Sequence, residues 1–199
     1  GSRIGDEGAK AIGDALHVNG ALTSIDVGFN ELNEEAALTH SGDLTAALHY
    51  ISSRNEIREV ILSGGDPLLL GDDRLESVLR HLRAIPHIRL LRIHTRVPAT
   101  LPMRITEGLC RRLHAASPLS LVAHFNHPAE LTAEATDGLD RLRMAGVTLL
   151  NQCVLLRGVN DSSETLRELF TGLMERGVKP YYLHHPDLTT GTQHFRVSL

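Results

Sequence analysis

The chain has 199 residues, a net charge of −4 and 42% hydrophobic residues. That apolar content supports one domain with a real core and excludes a disordered polyelectrolyte. The acidic balance and the lack of Trp argue against a basic nucleic-acid groove with a stacking platform.

No apolar run approaches the ~20 residues of a membrane span, and no charged-then-apolar leader opens the sequence. No membrane partner and a cytoplasmic location are therefore expected. The two cysteines, Cys110 and Cys153, share no short metal or redox spacing and read as reduced, buried thiols.

Residues 1–40 differ in style from the rest. Ile4-Gly-Asp-Glu-Gly-Ala-Lys-Ala-Ile-Gly-Asp-Ala-Leu16 places Ala9, Ile12 and Leu16 on one helical face, with Asp6 positioned to cap it. Leu22-Thr-Ser-Ile25-Asp-Val27-Gly-Phe-Asn30-Glu-Leu32 then fits the pattern L-x-x-L-x-L-x-x-N-x-L, allowing Ile and Val for Leu. In such a unit Ile25 and Val27 point inward from a short strand, Asn30 bonds the turning backbone and Leu32 re-enters the core. The segment resembles one leucine-rich repeat of the ribonuclease-inhibitor type. A single repeat cannot bury its own apolar face, so a strand within residues 22–32 is expected to lie parallel beside residues 59–62.

From Ser41 onward strands and helices alternate. Leu44, Leu48 and Ile51 mark a helix, and residues 59–62 a strand. Leu75, Val78, Leu79 and Leu82 follow helical spacing, and residues 90–93 form the next strand. Thr106 can cap a helix bearing Leu109 and Leu113, and residues 119–125 read as a strand. Thr132 can cap a helix with Ala135, Leu139 and Leu142, and residues 147–155 contain a strand. Leu166, Leu169, Phe170 and Leu173 mark the last long helix, with Asp161 and Glu164 as a capping box, and residues 180–183 the last strand. Short apolar strands joined by amphipathic helices predict parallel pairing with right-handed crossovers. The expected fold is α/β, a parallel six-stranded partial (βα)6 barrel, single and compact, with residues 1–40 packed onto residues 41–199.

Polar residues collect just after each strand: Ser63-Gly64-Gly65-Asp66, His94-Thr95-Arg96, His124-Phe125-Asn126-His127, Asn151-Gln152 and His184-His185-Pro186-Asp187. In a parallel sheet these ends form one rim, where ligand sites lie. Taken singly, each has an ordinary reading. The glycine pair is a tight turn, His124 a bonded core histidine, Gln152 a buried amide bonded to neighbouring backbone, and Asp187 a turn cap. Their common address makes them candidates. Two glycines also let backbone approach a ligand closely.

Val60-Ile-Leu-Ser-Gly-Gly-Asp-Pro67, Leu91-Arg-Ile-His-Thr-Arg-Val-Pro98, Arg104-Ile-Thr106, His124-Phe-Asn-His-Pro128, Asn151-Gln152, Leu155-Leu-Arg-Gly-Val-Asn-Asp161, Lys179-Pro-Tyr-Tyr-Leu183 and Gly191-Thr-Gln-His-Phe-Arg196 occur in an order that resembles the lysine 2,3-aminomutases and the related enzyme that modifies elongation factor P. The resemblance implies a radical S-adenosylmethionine barrel with a [4Fe–4S] cluster and pyridoxal phosphate. In that family a deoxyadenosyl radical starts migration of the lysine amino group from C2 to C3. By position, the resemblance implies that Ser63, Gly64, Gly65 and Asp66 hold the methionyl part of S-adenosylmethionine. It implies that His124 and Gln152 contact its ribose region, and that Asp187 receives the ammonium group of substrate lysine.

The sequence also departs from the family. The Cys-x-x-x-Cys-x-x-Cys loop belongs before Ser41, where residues 29–39 hold no cysteine. Three thiolates are needed for the cluster. The family arginines that follow that loop and help hold pyridoxal phosphate and substrate are missing as well. The family's pyridoxal-phosphate lysine and second substrate carboxylate lie beyond His194-Phe195-Arg196, and this sequence stops at Leu199. His184-His185 matches only some branches. A leucine-rich βα unit thus stands where the first barrel unit belongs, as in a designed chimera, a natural fusion or a faulty gene model.

The expected function is an aminomutase-derived chain that binds S-adenosylmethionine at most weakly and has no catalytic residues and no turnover of its own. One alternative is a leucine-rich interaction module. Another is a metal hydrolase using the rim residues His94, His124, His184, His185 and Asp187.

Overall fold

A computed structural model of the chain describes residues 24–29, 41–187 and 189–198. Six strands run in chain order: β1 (Ser24–Phe29), β2 (Glu59–Gly65), β3 (Leu90–Thr95), β4 (Leu119–Ala123), β5 (Thr148–Val154) and β6 (Lys179–His184). They form one sheet ordered β1-β2-β3-β4-β5-β6, with every neighbouring pair parallel. The helices of the crossovers are α1 (Ser41–Ser52), α2 (Asp72–Arg83), α3 (Val97–Thr100), α4 (Glu107–Ala115), α5 (Ala133–Met144) and α6 (Ser163–Glu175). Sequential parallel neighbours joined through helices are the arrangement of an open βα barrel.

The core follows from the period-2 alternation of side chains along each strand. Val60 and Leu62 of β2, Leu91 and Ile93 of β3, and Leu121 and Ala123 of β4 are buried, as are Leu149 and Cys153 of β5. Helix α2 answers with Leu75, Val78, Leu79 and Leu82, all buried and spaced to form one face. Helix α5 does the same with Ala135, Leu139 and Leu142. Each large aliphatic side chain buried in this way contributes about 1.5–3 kcal/mol. The alternate positions Ile61, Arg92, His94 and Gln152 are only half-buried, so the opposite face of the sheet carries the polar residues.

The strand expected within residues 22–32 is β1. Its backbone pairs with β2 from Ser24↔Glu59 to Gly28↔Ser63, then shifts to Phe29↔Gly65. The inward-pointing Ile25 and Val27, the helix of residues 4–16, Asn30 and Leu32 lie outside the described residues and side chains.

Two expected caps are in place: Thr106 accepts from Leu109 N at 3.1 Å and Thr132 from Ala135 N at 3.2 Å. The third is a correction. Helix α6 is capped by Ser162, which accepts from Thr165 N at 3.1 Å. Asp161 turns back and accepts from Gly158 N at 3.0 Å, so it serves the preceding turn and cannot box with Glu164. The short helix α3 and the 3-10 turns at Pro67–Leu69, Pro102–Arg104 and Pro128–Glu130 were not expected, because three or four residues hold too little periodicity to read. Among the described residues no helix is long and apolar enough to cross a membrane.

Asn151 closes the space between β4 and β5. Fully buried, it accepts from Phe125 N at 2.9 Å and donates to Phe125 O at 3.1 Å. Its amide thus completes a backbone pairing that the strands themselves do not make. Asn151→Ala should destabilise the fold by about 2–3 kcal/mol, because both Phe125 groups lose their partner in a buried place. Urea denaturation measures this, and a loss below about 0.5 kcal/mol would contradict the assigned role.

Candidate functional site

The C-terminal ends of β2 to β6 surround one cleft of about 740 Å³. Ser63, Gly64, Gly65 and Asp66 enter it from β2, His94, Thr95 and Arg96 from β3, and His124 from β4. Gln152 and Val154 come from β5, and His184 to Asp187 from β6. All seven residues read from the sequence as ligand contacts, namely Ser63, Gly64, Gly65, Asp66, His124, Gln152 and Asp187, line this one cleft. Asn151 does not: alternation turns it into the core, while its neighbour Gln152 faces the cleft.

The glycine pair is needed for its backbone. Gly64 has φ +70° and Gly65 φ +48°, in the left-handed region that costs an L side chain roughly 1–2 kcal/mol. The strand thereby turns sharply and presents peptide groups to the cleft. Asp66 holds this turn. Its Oδ1 accepts from the Thr95 hydroxyl at 2.6 Å and from Leu68 N at 3.1 Å, and its Oδ2 from Arg96 N at 2.7 Å. The carboxylate therefore ties the end of β2 to the end of β3 and caps the Pro67–Leu69 turn.

His124 stands in the cleft beside His94, ring centroids 5.8 Å apart and edge to face. Its backbone N donates to Thr95 O at 3.0 Å. Its Nε2 is buried and has no hydrogen-bond partner among the described residues, so it is an atom that could bond a ligand. Burial holds its pKa down at about 4. The His94 ring, Arg96 and His184 oppose the charged form too, and only Asp66 favours it.

The floor between β4 and β5 is tied by Asn126, which the sequence places on the rim without assigning it a role, and by Asn160, which the sequence offers only as part of a motif. Asn126 Oδ1 accepts from Val154 N at 2.8 Å. Asn160, fully buried, donates to Asn126 O at 2.7 Å and Val154 O at 2.9 Å, and accepts from Leu156 N at 2.7 Å. Glu130 was missed although its spacing three residues after His127 is that of a capping box, which the structure contains.

At the mouth, Asp187 is exposed. His185 Nε2 lies 2.8 Å from Val197 O, and the ring of His184 tilts against Tyr182 at 5.2 Å.

The thiols do not suit an iron–sulfur cluster. Cys110 lies on α4 and Cys153 on β5, both buried. Burial raises the Cys110 pKa and pushes Cys153 up to about 11, so neither offers a ready thiolate. Among the described residues no group of three His, Cys, Asp or Glu is arranged to hold a metal ion. The lysine of β6, Lys179, begins the strand. It stands roughly 16 Å from the rim by strand rise, so it is in no position to form an imine with pyridoxal phosphate there.

His124 carries a pH prediction. An unfolded histidine titrates near 6.5 and this one at about 4. Between those values the unfolded chain binds the extra proton. Its contribution to stability is complete above pH 6.5 and falls as the pH drops toward 4, by at most about 1.4 kcal/mol per pH unit. His124→Asn should flatten the pH dependence of urea unfolding in that window; a slope equal to that of the parent chain would contradict the assignment.

No protein-family model matches the chain. Curated relatives do. The L-lysine 2,3-aminomutase of Fusobacterium nucleatum subsp. nucleatum is 48% identical over 150 residues, 75% of this chain and 35% of that protein. That of Escherichia coli K12 is 49% identical over 154 residues, 76% of this chain and 45% of the relative. The L-lysine 2,3-aminomutase of Methanococcus maripaludis is 43% identical over 169 residues, 85% of this chain and 39% of its own length. The chain therefore spans less than half the length of these relatives. Nothing in these matches supports the likeness of residues 1–35 to a leucine-rich repeat. Across the stretch that they share, this chain belongs to the lysine 2,3-aminomutase family.

Proposed function

We propose that the chain carries the S-adenosylmethionine-binding rim of a lysine 2,3-aminomutase on a radical S-adenosylmethionine-type partial barrel, with a leucine-rich βα unit in place of the first barrel unit. One observation carries this reading. The residues singled out by family position, drawn from β2, β4, β5 and the segment after β6, converge on a single cleft. In this reading residues 1–40 pack on residues 41–199 as one compact domain, in the cytoplasm, where reduced thiols persist.

Each residue has a chemical part. The peptide groups of Ser63, Gly64 and Gly65, turned outward by the positive φ pair, receive the methionyl amine and carboxylate of S-adenosylmethionine. Asp66, with its carboxylate engaged by Thr95, Arg96 and Leu68, holds that turn in place. His124 Nε2 and the Gln152 amide bond the ribose hydroxyls. Asp187, exposed at the mouth, receives the ammonium group of a lysine substrate through a charge-assisted hydrogen bond. In the family, bound S-adenosylmethionine supplies the deoxyadenosyl radical. The two buried thiols do not fit the cluster that this chemistry needs, and Lys179 does not fit pyridoxal phosphate, so no radical step runs on these residues alone.

Two outcomes follow. Reconstituted anaerobically with iron and sulfide, the chain should show no stoichiometric cluster absorbance near ~400 nm and should form no β-lysine, because three thiolates are required. Either signal above a no-protein control refutes the proposed lack of turnover. Ligand-observed NMR should detect S-adenosylmethionine with a dissociation constant on the order of 0.1–10 mM, and Gln152→Ala combined with His124→Ala should abolish the transfer. No transfer at millimolar ligand, or transfer unchanged in the double variant, removes the reading.

A further inference from the structure

Glu130 sits outside the cleft, yet it joins the segments that deliver the cleft's side chains. Its Oε1 meets Arg96 Nη2 at 2.5 Å. Its Oε2 accepts from Asn126 N at 2.6 Å and His127 N at 3.2 Å. Arg96 uses its other terminal nitrogen, Nη1, to donate to His124 O at 2.8 Å, while its backbone N donates to Asp66 Oδ2 at 2.7 Å. Asn126, oriented by Glu130 through its N–H, places its own Oδ1 on Val154 N, two residues past Gln152.

A continuous belt therefore runs along the rim: Asp66, Arg96, Glu130, Asn126, Val154. It links the ends of β2, β3, β4 and β5. Isolated exposed ion pairs contribute little, about 0–1 kcal/mol. This pair differs because Arg96 also bonds the His124 carbonyl and Glu130 the amides of Asn126 and His127 just after it, so its geometry is over-determined.

We propose that Glu130 and Arg96 are positioning residues for the cleft, their ion pair setting where the His124 ring and the Gln152 amide stand. Neither Glu130 nor Arg96 is assigned ligand contact in this role. The side chains act through backbone that they clamp. The inference rests on the reading of His124 and Gln152 as ligand contacts, but its primary readout does not.

That readout is the His124 ring in ligand-free, isotope-labelled protein, followed by NMR through an acid titration. The groups facing the ring are His94 and Arg96 from the end of β3, Asp66 from β2 and His184 from β6. In the parent chain the ring should titrate at about 4. In Glu130→Gln and in Arg96→Lys the midpoint should rise by about one unit or more, toward the usual value, as the segment loosens and water reaches Nε2. The signs separate position from charge. Losing a carboxylate alone would lower the midpoint, and Arg96→Lys preserves the charge while losing the two-sided grip.

Leu139→Ala, a cavity in the core, should lower the thermal midpoint and leave His124 unmoved. A midpoint unmoved or lowered in either rim variant overturns the proposal, and so does an equal rise in Leu139→Ala. In a second arm, S-adenosylmethionine should bind Glu130→Gln about tenfold more weakly, and this loss should shrink clearly in a His124→Ala background, where Gln152 still supports measurable binding, the non-additivity expected of coupled residues. Absence of S-adenosylmethionine binding to the parent chain fails the functional reading, while the His124 titration still decides this one. Additive losses in the second arm overturn the positioning role.

Discussion

Parallel pairing places all the C-terminal strand ends on one side of the sheet, and the rest of the molecule follows from that. Because β2 to β6 run the same way, side chains far apart in sequence meet around a single opening. Alternation then divides each strand between two duties. Val60, Leu62, Leu91 and Ile93 hold the helices, while Ser63, His94, His124 and Gln152 face the cleft. A one-residue register slip would exchange these sets, so the apolar packing behind the sheet also fixes the polar arrangement in front of it.

The rim is rigid where the strands themselves stop bonding. Past the last ladder bonds, side chains take over: Asp66 between β2 and β3, Arg96 with Glu130 between β3 and β4, and Asn126, Asn151 and Asn160 between β4 and β5. Short polar side chains suit this task, since each can imitate a peptide group toward its neighbour's backbone. The belt thins beyond β5. The β6 residues Tyr181, Tyr182 and Leu183 are substantially exposed, and Asp187 stands at an open mouth.

Family membership and chemical equipment separate in this chain. The stretch shared with the aminomutases gathers the Gly64-Gly65 turn, His124 and Gln152 around one cleft. The two thiols belong to the core instead. Cys153 continues the buried row of β5 and Cys110 packs on the inner face of α4, so both thiols serve packing, whereas cluster ligation requires exposed thiolates in one loop.

Much was legible in the residues themselves. Helix faces such as Leu75, Val78, Leu79 and Leu82, the Thr106 and Thr132 caps, and the gathering of polar residues after each strand are local patterns, set by periodicities of 3.6 and 2 and by the needs of unpaired helix-end amides. The tertiary structure alone decided which way each polar residue is employed. Neighbours Asn151 and Gln152 look alike in sequence, yet one bridges strands in the core and the other lines the cleft. Asp66 reads as a ligand contact, but partners 29 and 30 residues away engage its carboxylate. Glu130 draws no reading from the sequence, and its part becomes visible only where Arg96, 34 residues earlier, meets it. A hydrogen bond across such separations leaves no periodic trace along the chain, because it depends on where the sheet brings two loops together and not on spacing within either one.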